Sequence, residues 1–153
     1  MKSVVDFLNR DLIFLDLEAD NRDNVFEKIC NLTAEQLGLG ADVCQALKLA
    51  LLKRESIGPT GLGGGVAIPH AYVNGVPEDT VVFCRLSKDT SFEGADGQPI
   101  RLIFMLAGSQ RNHSKHLQVL AKFARLLSDE QLILDLRRSK NPESILQALR
   151  SVE

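Results

Sequence analysis

Apolar residues recur three and four positions apart in the first and last thirds of the chain and crowd into unbroken runs between them. Val25, Phe26, Ile29, Leu32 and Leu37 lie at helical spacing. Asp20 or Asn21 can cap the first turn, and Gly38 and Gly40 stop the helix. A second helix is predicted from about Asp42, with Val43, Ala46, Leu47, Ala50 and Leu51 on one face and Lys53-Arg54-Glu55 at its end. Asp11–Leu17 reads as a short strand or an extended lead-in segment, and Val81–Leu86 as a strand. The run Ile100–Ala107, apolar but for Arg101, predicts a central strand, because a strand covered on both faces shows no polar alternation. Ser114 is predicted to cap a helix striped by Leu117, Leu120, Ala121, Ala124 and Leu127. Ser128 is predicted to cap the next, which carries Leu132, Ile133, Leu134 and Leu136. Asn141-Pro142 opens the last helix, with proline at its first position. No linker, repeat or low-complexity segment divides this order. It predicts one α/β domain over residues 1–153, a mixed β-sheet flanked by helices.

Composition narrows the class. A chain of 153 residues, 44% apolar and 25% charged, matches a globular domain large enough to bury a core. Seven Phe, one Tyr and no Trp leave that core to Leu, Ile, Val and Ala. No apolar run approaches the roughly 20 residues that cross a bilayer, and the N-terminus lacks the apolar stretch of a signal peptide. The predicted address is the cytoplasm, with no membrane insertion. The formal charge of −2 is spread along the chain, without the basic stripe that binds a phosphate backbone, so nucleic acid is not an expected partner. Arg137, Arg138 and Lys140, the nearest approach to such a stripe, read as the solvated end of a helix. Cys30, Cys44 and Cys84 form no C-x-x-C pair, and each sits among apolar neighbours as a buried free thiol would.

Candidate chemistry concentrates in residues 56–71. Gly58, Pro59, Gly61, Gly63, Gly64 and Gly65 precede the apolar Val66-Ala67-Ile68, then Pro69 and His70. Glycines let backbone N–H groups approach a ligand closely, and exposed N–H groups suit a phosphoryl group. A neutral imidazole is a nucleophile toward phosphorus near pH 7, because its ordinary pKa is about 6.5. Against this stands a turn histidine that only satisfies backbone groups. Nucleotide motifs fail: the segment lacks the lysine of a G-x-x-x-x-G-K-[ST] loop, and the spacing Gly61-x-Gly63-x-Gly65 is not G-x-G-x-x-G. Arg54 can donate two hydrogen bonds to a phosphoryl group, or can stand as an ordinary cation near a helix C-terminus. His116 borders the apolar stripe of its helix, while His113 is expected in solvent. No Cys, Asp or Glu nearby completes a metal set with these two, so neither a metal nor a cofactor is expected. No G-x-S-x-G and no activated cysteine points to a Ser or Cys nucleophile.

Residues 54–71, Arg-Glu-Ser-Ile-Gly-Pro-Thr-Gly-Leu-Gly-Gly-Gly-Val-Ala-Ile-Pro-His-Ala, resemble the active-site signature of enzyme IIA domains of the phosphoenolpyruvate-dependent phosphotransferase system, in its fructose/mannitol/nitrogen-regulatory branch. His116-Leu117-Gln118-Val119-Leu120 is similar to the family's second histidine segment, and Gly97-Gln98-Pro99-Ile100 also fits. Gly64 and Ala71 stand where Asn and Gly are common in the family. The resemblance implies that His70 carries the phosphoryl group on Nε2, with Nδ1 held by a neighbouring acceptor. It implies that His116 hydrogen-bonds the phosphoryl oxygens, that Arg54 offsets charge during transfer, and that an HPr-like phosphocarrier protein is the donor. Two roles follow from it, a nitrogen-regulatory-type regulator that binds target proteins and a sugar-specific IIA component serving a IIB partner, and the free-standing chain tilts the expectation to the regulator. A binding module never phosphorylated at His70 remains the alternative of another class.

Overall fold

The computed structural model describes residues 3–109, 111 and 113–153. A 3₁₀ turn at Val4–Phe7 leads into β1 (Leu8–Leu17), followed by α1 (Arg22–Leu37) and α2 (Ala41–Ile57). Three short strands follow, β2 (Gly61–Gly63), β3 (Val66–Ala67) and β4 (His70–Tyr72), then the longer β5 (Thr80–Leu86) and β6 (Leu102–Gly108). Helices α3 (His113–Leu126), α4 (Glu130–Arg138) and α5 (Pro142–Ser151) complete the chain. The α/β architecture with a mixed sheet is as the hydrophobic pattern predicted. No helix among the described residues is long and apolar enough to cross a membrane.

The sheet runs β1-β5-β6-β3-β2, with β4 also paired to β6. β1 lies parallel to β5, β5 antiparallel to β6, and β3 and β4 both parallel to β6. Every residue of β5 and β6 is buried, which explains the unbroken apolar runs. Alternate residues feed two cores. Ile103, Met105 and Ala107 pack under α1 and α2 with Phe26, Ile29, Leu47 and Leu51. Leu102, Phe104 and Leu106 pack under α3, α4 and α5 with Phe123, Leu132, Leu136, Ile145 and Leu149. Each such aliphatic side chain contributes roughly 1.5–3 kcal/mol on burial.

The helix ends follow local chemistry, with two corrections. Asn21 caps α1 through its side chain, accepting from the Asn24 N–H, and Gly38 closes it in the left-handed region. Asn141 caps α5, with Pro142 in its first turn. Ser114 is not a cap, since α3 has already begun at His113. Asp129 rather than Ser128 caps α4, accepting from the Leu132 N–H, while the Ser128 hydroxyl turns back to the Arg125 carbonyl. Asp is as good a cap as Ser, so composition alone could not separate two adjacent candidates. The first strand begins three residues before the predicted segment. α2 runs on past Arg54 to Ile57. Cys30 and Cys84 are buried thiols, but Cys44 is half-buried and donates from its thiol to Asn31.

One buried cation ties the sheet to the C-terminal helices. Arg85 on β5 donates to the carbonyls of Leu136 and Ser139 at the end of α4 and to the Asp16 carboxylate on β1. It closes α4 as a C-terminal cation should.

The glycine segment is a hairpin. Gly63 pairs with Val66, leaving Gly64 and Gly65 as the turn, at φ +65° and +81°. Positive φ at both central positions is what a type I′ turn needs. A Cβ on Gly65 would stand 3.0 Å from the Pro99 carbonyl and 2.6 Å from Arg137, whereas one on Gly64 would meet nothing within 4 Å. Gly64→Ala is therefore expected to lower stability by about 1 kcal/mol through the left-handed backbone alone. Gly65→Ala is expected to lose about 1–3 kcal/mol more through the collision. Urea denaturation of the two variants checks this; equal midpoints would contradict it.

Candidate functional site

Residues 66–72 run along one edge of β6 as a single interrupted strand. Val66 and Ala67 pair with Leu102 and Ile103, and His70, Ala71 and Tyr72 pair with Leu106, Ala107 and Gly108. Pro69, which has no N–H to give, sits at the interruption, and its carbonyl accepts from the Leu106 N–H. Period-two alternation then sends Ala71 into the core under α1 and α2. It puts His70 and Tyr72 on the opposite face, toward α3.

His70 is half-buried, and its Nδ1 lies 3.0 Å from the Ile68 carbonyl two residues back. A carbonyl can only accept, so the neutral ring carries its proton on Nδ1 and its lone pair on Nε2. Burial pushes the His70 imidazole below its ordinary pKa. The Ile68 hydrogen bond opposes that, the Arg54 charge adds to it, and Glu55 opposes it. The balance is a neutral imidazole near pH 7, the form with a nucleophilic nitrogen.

His116, in the first turn of α3, is 1% exposed. Its ring centre is 6.3 Å from that of His70 and 4.2 Å from that of Tyr72. Its Nδ1 lies 3.5 Å from the Asp79 carboxylate, whose side chain is itself buried. Tyr72 keeps its phenol proton, because burial, and after it the Asp79 charge, raises its pKa. His113 begins α3 close by; the expectation that its side chain is solvated lies outside the described residues.

Arg54 is half-buried in the last turn of α2 and donates to the Gly58 carbonyl at 2.8 Å. Beside it the buried Glu55 accepts from the Thr60 hydroxyl and, at 3.4 Å, from the Thr60 N–H. These two contacts tie the start of the loop to the helix. At its tip, the Gly64 N–H donates to Asp96 at 3.1 Å and the Gly64 carbonyl accepts from Arg137 at 2.7 Å. The bonds from Gly64 and Gln98 hold the Asp96 carboxyl below its ordinary pKa. Arg137 is thus no mere solvated helix end: it reaches from α4 to clamp the glycine turn. Three large apolar side chains are exposed on nearby segments of the chain: Ile57 at the end of α2, Leu62 on β2 and Leu117 next to His116.

The fold brings together all three side chains singled out in the sequence, His70, His116 and Arg54, at the edge where β4, α2 and α3 meet. Asp79, Tyr72 and Asp96 were not singled out in the sequence, and Arg137 entered only as the solvated helix end, where it is indeed exposed. Pro77-Glu78-Asp79-Thr80 looks like any polar loop before a strand, and it is the antiparallel pairing of β5 with β6, Thr80 against Ala107, that sets Asp79 beside Gly108 and His116.

Comparison with known proteins gives the same direction. The family model described as "Phosphoenolpyruvate-dependent sugar phosphotransferase system, EIIA 2" matches residues 6–152. The nitrogen regulatory protein of Bradyrhizobium diazoefficiens is 32% identical over 95% of this chain and 94% of its own. The fructose-specific EIIABC component of Bacillus subtilis is 31% identical over 95% of this chain, which spans 23% of that protein's length. The crystal structure of the nitrogen regulatory protein IIA-Ntr from Neisseria meningitidis superposes with a TM-score of 0.84 at 32% identity, covering 94% of this chain and 97% of that one. With a match across nearly all of its length, this chain belongs to the EIIA 2 family of the phosphoenolpyruvate-dependent sugar phosphotransferase system.

Proposed function

We propose that this phosphotransferase component accepts a phosphoryl group on Nε2 of His70 from an HPr-like phosphocarrier protein in the cytoplasm. The observation that carries the reading is the Ile68 carbonyl on Nδ1, which leaves Nε2 as the nucleophilic nitrogen. The Nε2 lone pair attacks phosphorus in line as the carrier's own N–P bond breaks, and the carrier's imidazole leaves with the electron pair. Little covalent work falls to the protein in such a step; positioning and stabilisation of charge on the equatorial oxygens dominate. His116 stands beside His70 to hold those oxygens, and Arg54, whose charge is felt at the His70 ring, offsets charge during transfer. Ile57, Leu62 and Leu117 offer apolar contact to a docking protein. Two free thiols kept buried accord with a reducing compartment.

Of the two roles within the family, regulation of target proteins by phosphorylation state is favoured over service to a sugar-specific IIB partner. The support is structural likeness: nitrogen regulatory IIA-Ntr from Neisseria meningitidis superposes with a TM-score of 0.84 at 32% identity, and IIA mannitol from Escherichia coli with 0.72 at 25%.

Incubation with phosphoenolpyruvate, enzyme I and a carrier protein, followed by intact mass, tests the reading. A single acid-labile, phosphate-sized gain is expected, absent in His70→Ala. No gain with any competent carrier would leave a binding module in its place. His116→Ala is expected to slow the gain by roughly 10²-fold while leaving His70 modifiable, as when one charge-stabilising donor is removed. Equal abolition in both variants would contradict the supporting role. The lowered pKa of His70 also sets a sign. The free imidazole titrates near 6.5, so the neutral, accepting form persists to lower pH in the folded chain. Ring-proton shifts of His70 should therefore show a midpoint below 6.5; one above it would refute the assignment.

A further inference from the structure

Behind His116 the fold buries a carboxylate that the transfer reading does not use. Asp79 lies in the last turn before β5, its side chain 7% exposed and 3.5 Å from His116 Nδ1. Neither of its oxygens receives a hydrogen bond among the described residues. A buried carboxylate is unfavourable without a countercharge, and the imidazole is the group facing it. Room has been made for this contact. Gly108, the last residue of β6, would collide through a Cβ with Asp79 Oδ1 at 2.5 Å and with His116 Nδ1 at 2.8 Å. Tyr72, paired in register with Gly108, covers the ring at 4.2 Å. Among the described residues, Asp79 from the segment before β5, and His70 and Tyr72 from β4, are titratable groups placed against His116.

We propose that Asp79 is a positioning residue that holds His116 as an imidazolium, and so turns a buried histidine into a cationic donor for the phosphoryl group. A neutral imidazole has one N–H. With a carboxylate at Nδ1 the proton settles there, and Nε2 then presents a lone pair, which repels phosphoryl oxygens. Only the doubly protonated ring offers one N–H to Asp79 and another to the phosphoryl group at once. The carboxylate favours that form by its charge, and the second proton comes from solvent. The positive ring stabilises charge on the transferring group, as donors fixed in a water-poor site do best. His70 and His116 then have opposite tasks set by their surroundings: burial keeps the first neutral while the Ile68 carbonyl fixes its tautomer, and a carboxylate keeps the second charged. This inference rests on the reading of His70 as the phosphoryl acceptor.

The test uses the full chain labelled with ¹⁵N in its histidine rings, in wild type, Asp79→Asn and Asp79→Glu, with the amide spectrum reporting that each variant is folded. In the absence of any carrier, the His116 ring nitrogens are followed against pH. The His116 midpoint is expected to fall by about one pH unit or more in Asp79→Asn and to stay near the wild-type value in Asp79→Glu. At pH 7, phosphorylation through the carrier is expected to slow roughly tenfold in Asp79→Asn, with most of the rate recovered in Asp79→Glu. A His116 midpoint that does not move overturns the proposal, and so does one that moves while the rate of transfer stays unchanged. If the wild-type chain takes no phosphate from any carrier, the phosphocarrier reading fails, whereas the titration still decides whether Asp79 sets the charge of His116.

Discussion

The site depends on one hydrogen bond, from His70 Nδ1 to the Ile68 carbonyl at 3.0 Å. It is a local contact, reaching back two residues, yet it needs an unusual backbone. Ile68 must leave its carbonyl unused by the sheet ladder, and the chain must re-enter pairing at His70. Pro69 supplies the break, because a residue without an N–H interrupts a ladder at the edge of a sheet where the loss is tolerated. Flanking pairs on β6 then hold both ends of the break, Ala67 against Ile103 and His70 against Leu106. The ring nitrogen that matters is therefore set by strand pairing rather than by any side chain of the loop.

The glycine hairpin serves that geometry from the other side. Its turn needs positive φ at Gly64 and Gly65, and its close approach to Pro99 and Arg137 leaves no space for a Cβ at Gly65. Once folded it is held by elements far apart in sequence: Glu55 at its base, Asp96 and Arg137 at its tip. Three different elements thus hold a flexible sequence in a single shape. Glycine here gives access to a conformation, and the rigidity comes from the neighbours.

Around the two histidines the electrostatics diverge within a few ångströms. Burial, and after it the field of Arg54, lets His70 lose its proton readily, against the opposing pull of the Ile68 carbonyl and Glu55. His116 lies deeper, against a carboxylate. The same side chain therefore meets two environments of opposite sign, and burial amplifies the difference because charges are poorly screened away from water.

Much of this was legible in the chain itself. The runs Val81–Leu86 and Ile100–Ala107 announced the two central strands, since burial on both faces leaves a direct mark on composition. Asn21, Gly38 and Asn141-Pro142 marked helix ends through short-range bonds that need only a few neighbouring residues. Arg54 and His70 stood out because their motif is long and contiguous, and His116 because its own short segment fits the same family. Asp79, Tyr72 and Arg137 did not, because each acts across strand pairing or helix packing. A polar loop residue reads the same whether it ends in solvent or beneath a histidine, and the solvated look of Arg137 concealed its bond to Gly64. Sequence by itself determined the long helices, the two central strands and the family, all of which rest on local patterns. Tertiary structure alone decided which charge faces which ring, because that choice is made by the registers of β4 and β5 on β6 and by the way α3 lies over them.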